Sequence, residues 1–584
     1  MTDVNQLITD HLDIWTEATE KKSSAGRGNG GGVSLYGIKK LKDLILELAV
    51  RGKLVSQTDK KGAGETLLAK ILQRREALEK NKQVRPKASS SRSSDDWPFD
   101  LPDNWAWATL SQISDFRPGK TPSTKNSTYW SSGGHGYPWV SISDLVANGS
   151  VSSSEKHVTE TSHRDVFKGA LVPAGTLLMS FKLTIGKTSL LGIDAYHNEA
   201  IIGINPIEGV SKDYLFRFLP LLSSFASDKA AIKGSTLNAG SLSLLPVPLP
   251  PLAEQNRIVA KVDELMGLCD ALERQAEDSL KAHQTLVETC LATLTNSRSP
   301  EDLTQNWTRI EAHFDALFTT EDSVEALRRA VLDLALRGSL TDQREDAAPA
   351  SVLLSELYAK NKKLASSRHR TIVSKIKEVE PPFDLPESWA WSNLGLLSSD
   401  LRYGTSKKCD RDDKLVPVLR IPNVSGGRVD LDDMKFGPLD PKEVADLRLR
   451  ANDLLIIRSN GSLDIVGSFA VVPELEGDFA FAGYLVRVRI DPAFVDPRYI
   501  WYVSRSRFLR DQIEGPIRHG VGLKNVNSTE LASLQFPIPP REEQERIVDK
   551  LDGLFELCDR LAQRVDDSNT INLALADTLA SKIH

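Results

Sequence analysis

Apolar positions along this chain fall into two alternating textures. At 38–50 and 65–81 they recur at helical spacing, and 324–337 and 352–364 repeat that plan further along. Residues 97–250 and 383–540 read differently, as short apolar runs broken by Gly, Pro, Asn and Ser. GTLLMSF, EAIIGIN, DLLIIRS, SFAVVP and YLVRVRI predict strands, with period-two alternation clearest in the last. Short helices are predicted at 212–225 and 497–511. Each of these stretches ends at a proline pair, Pro250 with Pro251 and Pro539 with Pro540, where a long helix is predicted to begin. Proline suits a first helical turn because its missing N–H has no partner there. Ile258, Val262, Leu265, Cys269, Leu272 and Ala276 then recur in steps of four and three, as do Ile547, Leu551, Leu554, Cys558, Leu561 and Val565. That is an a/d seam. The economical burial of two such seams is an antiparallel pair; the alternative is that each helix packs on its own α/β domain. Cys269 and Cys558 hold matching seam positions and are expected to act as small buried apolar groups.

The same landmarks are written twice. LPPLAEQNRIVAKVDELMGLCDAL from Leu249 and IPPREEQERIVDKLDGLFELCDRL from Ile538 agree at 14 of 24 positions, 289 residues apart. ELAVRGKLVSQ from Glu47 returns as DLALRGSLTDQ from Asp333, and LPDNWAWATL from Leu101 as LPESWAWSNL from Leu385. A unit of roughly 285 residues is too long for a solenoid repeat and indicates tandem domains. The expected fold is α/β: two mixed α/β domains joined by long antiparallel coiled-coil helices, with a pseudo-two-fold internal repeat. The expected division is a helical region at 1–96 with flexible linkers, an α/β domain at 97–250 and a long helix at 251–295. A second helical region with a linker at 296–382, an α/β domain at 383–540 and a second long helix at 541–584 follow. The Gly/Ser-rich runs 21–32 and 85–96 are the expected linkers.

Composition narrows the class. With 40% hydrophobic and 26% charged residues the chain has ordinary globular composition. The polar, acidic opening MTDVNQLITDHLDIW lacks the pattern of a signal peptide, and no apolar run is long enough for a membrane span, so a cytoplasmic location is expected. Cys269, Cys290, Cys409 and Cys558 show no metal or disulfide spacing. A net charge of −6 does not advertise nucleic-acid binding, yet steering depends on where charge sits. Residues 97–250 carry 12 basic and 12 acidic side chains and 383–540 carry 20 and 22, so either stretch has enough of both for a positive face. The motifs of nucleotide, hydrolase and zinc-protease chemistry are missing. Ile185 to Thr188 resembles the end of a phosphate-binding loop, but Phe181 stands where that loop needs glycine. Asp491 to Phe494 only faintly matches the D/N-P-P-Y/F loop of amino-methyltransferases. These absences favour a binding protein with no metal and no catalytic residue.

At the repeated segments the chain resembles specificity subunits of type I restriction-modification systems. The proline pairs followed by E-Q-x-R-I-V carry the likeness, as do G-K-T-P-S…Y-W…P-W-V-S-I-S-D-L (119–145) and G-T-S-K-K…L-R-I-P-N-V (404–424). The paired L-A-x-R-G-x-L segments near Arg51 and Arg337 suggest the branch with an extended amino-terminal region. The resemblance implies that each α/β domain is a target-recognition domain reading one half of a split, asymmetric sequence in double-stranded DNA. It also implies that the helices space the halves and dock two modification (methyltransferase) subunits. Those partners hold S-adenosylmethionine and methylate adenine, while restriction/translocase subunits use ATP and Mg. No cofactor is expected on this chain and no membrane partner.

Base-edge and phosphate contacts require Arg, Lys, Asn and polar groups in loops at strand ends. In the first domain the DNA-binding candidates are Arg117, Lys120, Lys125, Lys182, Lys187, Lys233, Ser235 and Thr236. In the second they are Arg402, Lys407, Lys408, Arg420, Arg458, Asn460, Arg518 and Lys524. Two like docking surfaces require docking residues that occur twice, which selects Glu254, Gln255 and Arg257 with Glu543, Gln544 and Arg546. Competing readings are a single-chain DNA methyltransferase or nuclease with its own recognition domains, and a two-module adaptor that binds no DNA.

Overall fold

In the computed structural model the described residues are 4–21, 33–57, 59–86, 96–132, 134–182, 184–227, 239–344, 346, 348–376, 380–517 and 524–581. Most of both expected linkers lies outside them. The chain divides into two compact units, Met1–Asp278 with Asn569–His584, and Ser279–Ser568.

In the first unit a five-stranded sheet runs in the order Ser114–Pro118, Ile201–Pro206, Leu177–Ser180, Thr188–Leu191 and Gly149–Val151. Its first four strands pair antiparallel, and the last pair is parallel. The apolar runs predicted as strands form its centre because Leu177 to Ser180 and Ile201 to Ile204 are buried on both faces. A smaller sheet orders Tyr196–His197, Tyr137–Val140, Lys156–Val158 and Trp130–Ser131. The second unit repeats the scheme with Ser398–Tyr403, Leu485–Ile490, Leu454–Ile457 and Phe469–Val471, beside a sheet of Lys435–Gly437, Val416–Leu419 and Ala480–Phe481. Alternation in Leu485–Ile490 does not separate core from solvent. The Arg487 guanidinium is buried, held by Asp400 and by the Arg448 carbonyl at 2.9 Å.

The helical regions are not separate bodies. Tyr36–Val50 and Ala63–Lys80 contribute Ile38, Leu41, Ile45 and Ile71 to the core that also holds Leu177, Ile202 and Tyr214. In the second unit Glu321–Leu336 and Ala350–Leu364 do the same with Val324, Leu327, Leu354 and Leu357. One element departs from the sequence expectation, and two further helices lie within the helical region expected at 296–382. The helix expected over 497–511 is two, Pro497–Ser504 and Arg507–Ile517, because Ser506 caps the second through Leu509 N–H at 3.2 Å. The polar stretch SSRHRTIVSK holds a helix, Ser367–Val373, capped by Ser366 and anchored by buried His369 and Ile372. Pro300–Ala312 is a further helix, opened by Ser299 as cap and Pro300 in the first turn.

The long helices are Leu252–Thr295 and Arg541–Ser581, 44 and 41 residues, about 60–65 Å each at 1.5 Å per residue. Their opening heptads bury in their own units. Ile258, Val262, Leu265 and Cys269 join the first core, and Ile547, Leu551 and Cys558 the second. Arg217–Asp263 (2.7 Å) and Lys42–Asp270 (2.8 Å) fasten the first helix at its polar flank. The closing turns belong to the opposite core: Ala576, Leu573 and Leu579 pack in the first unit, and Val287, Leu291 and Leu294 in the second. Each core therefore takes the opening of one seam and the end of the other.

The three repeated landmarks meet at one point in each unit. Glu254 accepts hydrogen bonds from Trp105 Nε1 and Asn104 Nδ2, both 3.0 Å. Gln57 accepts from the same indole at 3.1 Å and donates to the Gly52 carbonyl at 2.8 Å. In the second unit Glu543 accepts from Trp389 Nε1 (3.0 Å), Gln343 Nε2 (2.6 Å) and Thr341 Oγ1 (3.1 Å), and Gln343 donates to Gly338 at 3.0 Å. Gly52 and Gly338 have φ of +70° and +71°, and a Cβ at either would overlap the Pro102 or Pro386 ring; hence the paired glycines. The adjoining glutamines fix the helix start: Gln255 accepts from Ser211 N–H at 2.7 Å and Gln544 from Asp496 N–H at 2.8 Å. Burial raises the Glu254 carboxyl above its ordinary value, against the pull of the Trp105 and Asn104 bonds.

This corrects four of the six docking residues. Glu254, Gln255, Glu543 and Gln544 are at most 2% exposed and their polar atoms are engaged internally, so they present nothing to a partner. Their repetition reflects a hydrogen-bonded pin built twice. Arg257 and Arg546 are half-buried on the adjoining turn, with Arg546 donating to the Asp342 carbonyl at 3.3 Å.

Candidate nucleic-acid interface

Each large sheet has one end where two loops leave side by side. In the first domain Gly119 N–H donates to the Ile201 carbonyl at 3.0 Å, while Ile201 stands opposite Ser180. The loop carrying Lys120 and the hairpin carrying Lys182 and Lys187 therefore leave from the same end. Gly119 lies so close to the His197 carbonyl that a side chain there has no room. The hairpin returns through Gly186, φ +80°, whose N–H meets the Ser180 carbonyl at 2.8 Å. This turn accounts for the glycine of the Gly-Lys-Thr sequence. In the second domain Gly404 approaches the Phe481 carbonyl as closely, and Gly467, φ +79°, closes on the Ile457 carbonyl at 2.7 Å.

The second domain gathers its polar groups most tightly. Arg458 leaves the strand Leu454–Ile457, and the next residues, Ser459–Asn460, pair antiparallel with Lys524–Asn525. Arg458 Nε donates to Asn525 Oδ1 at 3.2 Å, and its guanidinium lies 4.2 Å from the Tyr403 ring centroid. Arg368, from the helix Ser367–Val373, stands over the same ring at 5.2 Å. Such stacking holds a guanidinium in place without neutralising it. Tyr403 is fixed in turn by accepting Ser528 N–H at its hydroxyl, 2.8 Å. Of the expected residues, this arrangement unites Arg458, Asn460 and Lys524. Sequence reasoning missed Arg368, Tyr403 and Asn525; the Arg-His-Arg run around His369 was the one available signal for the first.

Other expected residues are engaged elsewhere. Arg402 pairs with Asp446 at 2.8 Å, Lys407 with Glu443 at 2.6 Å and Arg420 with Asp433 at 2.8 Å. The Arg420 guanidinium holds the Asp433 carboxyl below its usual range. Arg117 pairs with Asp115 at 3.0 Å, and Lys120 Nζ donates to the Val166 carbonyl at 3.1 Å. Lys125 and Lys408 are exposed, and Lys182 and Lys187 half-buried. Lys233, Ser235, Thr236 and Arg518 lie outside the described residues. Among the described residues no His, Cys, Asp and Glu cluster is arranged to hold a metal ion, and no helix is long and apolar enough to cross a membrane.

A family model described as the type I restriction modification DNA specificity domain matches residues 102–282 and 404–568. The chain belongs to this family. It is 31% identical over 602 residues to the type I restriction enzyme EcoAI specificity subunit of Escherichia coli, covering 99% of each chain. It is 30% identical over 604 residues, again 99% of each, to the EcoEI specificity subunit from the same organism. The crystal structure of the HsdS subunit from Thermoanaerobacter tengcongensis aligns with 82% of this chain and 98% of its own, at 17% identity and a TM-score of 0.39. Each of the two specificity-domain segments takes in one of the hairpins described above and the opening turns of its long helix.

Acid sensitivity is expected of the helix that carries Arg368. His369 is 3% exposed, bonded through Nε2 to the Gly395 carbonyl at 3.2 Å, with no partner for Nδ1 among the described residues. Burial lowers its pKa below the usual 6.5, partly opposed by the Gly395 bond. The unfolded chain therefore takes up this proton first. The stability contributed is present above pH 6.5 and is lost as pH falls through the folded value. In His369→Gln, melting temperature is expected to fall less steeply than in the parent below pH 6.5. Parallel slopes would mean that this imidazole does not titrate with unfolding.

Proposed function

We propose that this chain is the DNA-recognition subunit of a type I restriction-modification assembly. Each α/β domain reads one half of a bipartite, asymmetric target in double-stranded DNA, and the long helices set the distance between the halves. Two modification subunits, carrying S-adenosylmethionine, methylate adenine; restriction subunits supply ATP- and Mg-dependent chemistry. The chain itself binds no cofactor and performs no catalysis. The observation that carries this reading is one sheet end built twice with different side chains, within a chain of the DNA specificity family. The names of its relatives as specificity subunits support it.

Gel-shift and methylation assays on random and then selected duplexes test the reading, using the chain alone and together with modification subunits. Sequence-selective binding and adenine methylation are expected only with the modification subunits present. Methylation by the chain alone would establish the single-chain enzyme instead, and absence of DNA binding in the assembly would establish the adaptor.

Arg257 and Arg546 remain as the docking pair, because they occupy the same turn in both helices beside the buried pins. Arg257→Ala combined with Arg546→Ala is expected to weaken capture of the modification subunits about tenfold or more, the scale of an arginine at the centre of an interface. Both side chains are half-buried and Arg546 gives up one hydrogen bond to Asp342, so a stability loss of about 1 kcal/mol per site is expected. A large calorimetric loss with normal assembly of the folded fraction would make these arginines structural.

A further inference from the structure

Backbone hydrogen bonds establish which positions of the two recognition domains correspond. Phe181 N–H donates to the Ala200 carbonyl at 2.9 Å, and Arg458 N–H to the Tyr484 carbonyl at 2.9 Å. Ile201 stands opposite Ser180, and Leu485 opposite Ile457. The glycines that close the two hairpins, Gly186 and Gly467, have matching φ of +80° and +79°. Phe181 and Arg458 are thus one position of the fold, and Ala200 and Tyr484 another.

The side chains at these positions are opposite in character. Phe181 and Ala200 are buried at 5% and 7% exposure. Tyr484 is 61% exposed, and Arg458 is partly exposed. Tyr484 is not on a loose loop. Leu485 N–H donates to Ala482 at 2.9 Å and Gly483 N–H to Thr405 at 2.7 Å, so the turn is fastened on both sides. An isolated exposed aromatic needs no explanation, but this one stands on a fastened turn at the backbone position bonded to Arg458, whose guanidinium is oriented by Tyr403 and Asn525. Asn525 accepts the Arg458 Nε–H and the Tyr403 ring supports the guanidinium plane, which leaves the two terminal nitrogens for a partner. Among the described residues no carboxylate pairs with Arg458. A fork of two donors matches the O6 and N7 acceptors of guanine, and an apolar ring beside it can pack on a neighbouring base.

We propose that Arg458 and Tyr484 form the specificity-determining corner of the second recognition domain: Arg458 reads a guanine edge, and the Tyr484 ring packs on the adjoining base. The matching corner of the first domain, Phe181 with Ala200, is core, so that domain reads its half-site with other groups. Tyr403 and Asn525 are positioning residues. The inference rests on the DNA-recognition reading above.

The test uses the full chain assembled with modification subunits, with random-sequence duplexes as probe and sequencing of the bound fraction as readout. Should the parent assembly select no sequence, the recognition reading itself fails, separately from this inference. Given a selected target, Arg458→Ala is expected to lose discrimination at one base pair of one half-site by about 5- to 150-fold, and leave the other half intact. Arg458→Lys keeps the charge but not the fork and is expected to lose the same discrimination. Tyr484→Ala is expected to relax the neighbouring position, and Tyr484→Phe to retain it. Uniform weakening across all sequences, with the salt slope reduced by about one, would identify a phosphate contact and overturn the assignment. Unchanged selection in Arg458→Ala, or Tyr484→Phe behaving as Tyr484→Ala, would overturn it equally. Melting curves of each variant confirm that the second unit is folded.

Discussion

Replacing residues 97–250 with the corresponding segment of a relative of different specificity is expected to change one half of the DNA target completely and leave the other untouched. The physical basis is that each recognition domain is closed by its own strands. Ala106–Thr109 pairs with Pro246–Leu249 in the first, and Ala390–Asn393 with Gln535–Ile538 in the second. Chain entry and exit therefore lie side by side, and a grafted segment that supplies its own tryptophan and asparagine at 105 and 104 keeps the bonds to Glu254. The change should be all-or-none in methylation mapping, because a wrong base pair typically costs about 1–3 kcal/mol and a half-site has several. Altered preference in both halves would show that the domains read DNA jointly. An unchanged target would show that recognition resides elsewhere in the chain.

Glu543→Ala is expected to destabilise the protein by about 3–5 kcal/mol. The carboxylate is 2% exposed and accepts from Trp389, Gln343 and Thr341. Truncation leaves these donors facing a small cavity, and each unsatisfied buried group costs about 1–3 kcal/mol. Glu543→Gln keeps a carbonyl acceptor and should lose less. Denaturant titration followed by tryptophan fluorescence measures the difference, with Trp389 itself as a reporter at the pin. A loss below about 1 kcal/mol would mean that the long helix is held by its apolar seam alone. Glu254→Ala should behave alike in the first unit, where Trp105 and Asn104 are the donors.

Much of the architecture was legible because it rests on local patterns. Runs such as EAIIGIN and DLLIIRS are apolar enough to occupy only the centre of a sheet, and the steps of four and three after each proline pair fit only a helix with one buried stripe. The helix at 367–373 was hidden because its polar surface residues outnumber His369 and Ile372, the two that anchor it. The division of 497–511 was hidden because one serine, Ser506, restarts the helix. At the candidate interface, Arg458, Asn460 and Lys524 stood out as polar residues beside strands. Arg368 did not, because it reaches Tyr403 from a different element of the fold.

The sequence by itself determined the tandem repeat, the two α/β domains, the long helices and the family likeness, since each is carried by spacing or identity within a short window. Only the tertiary structure decided what the repeated residues do. Glu254 and Glu543 recur whether they dock a partner or bind an indole, and identity cannot separate the two. Burial and hydrogen bonding separate them, and both depend on residues some 150 to 200 positions away. The same holds for Tyr484 and Ala200, whose equivalence is a matter of strand register and not of sequence likeness.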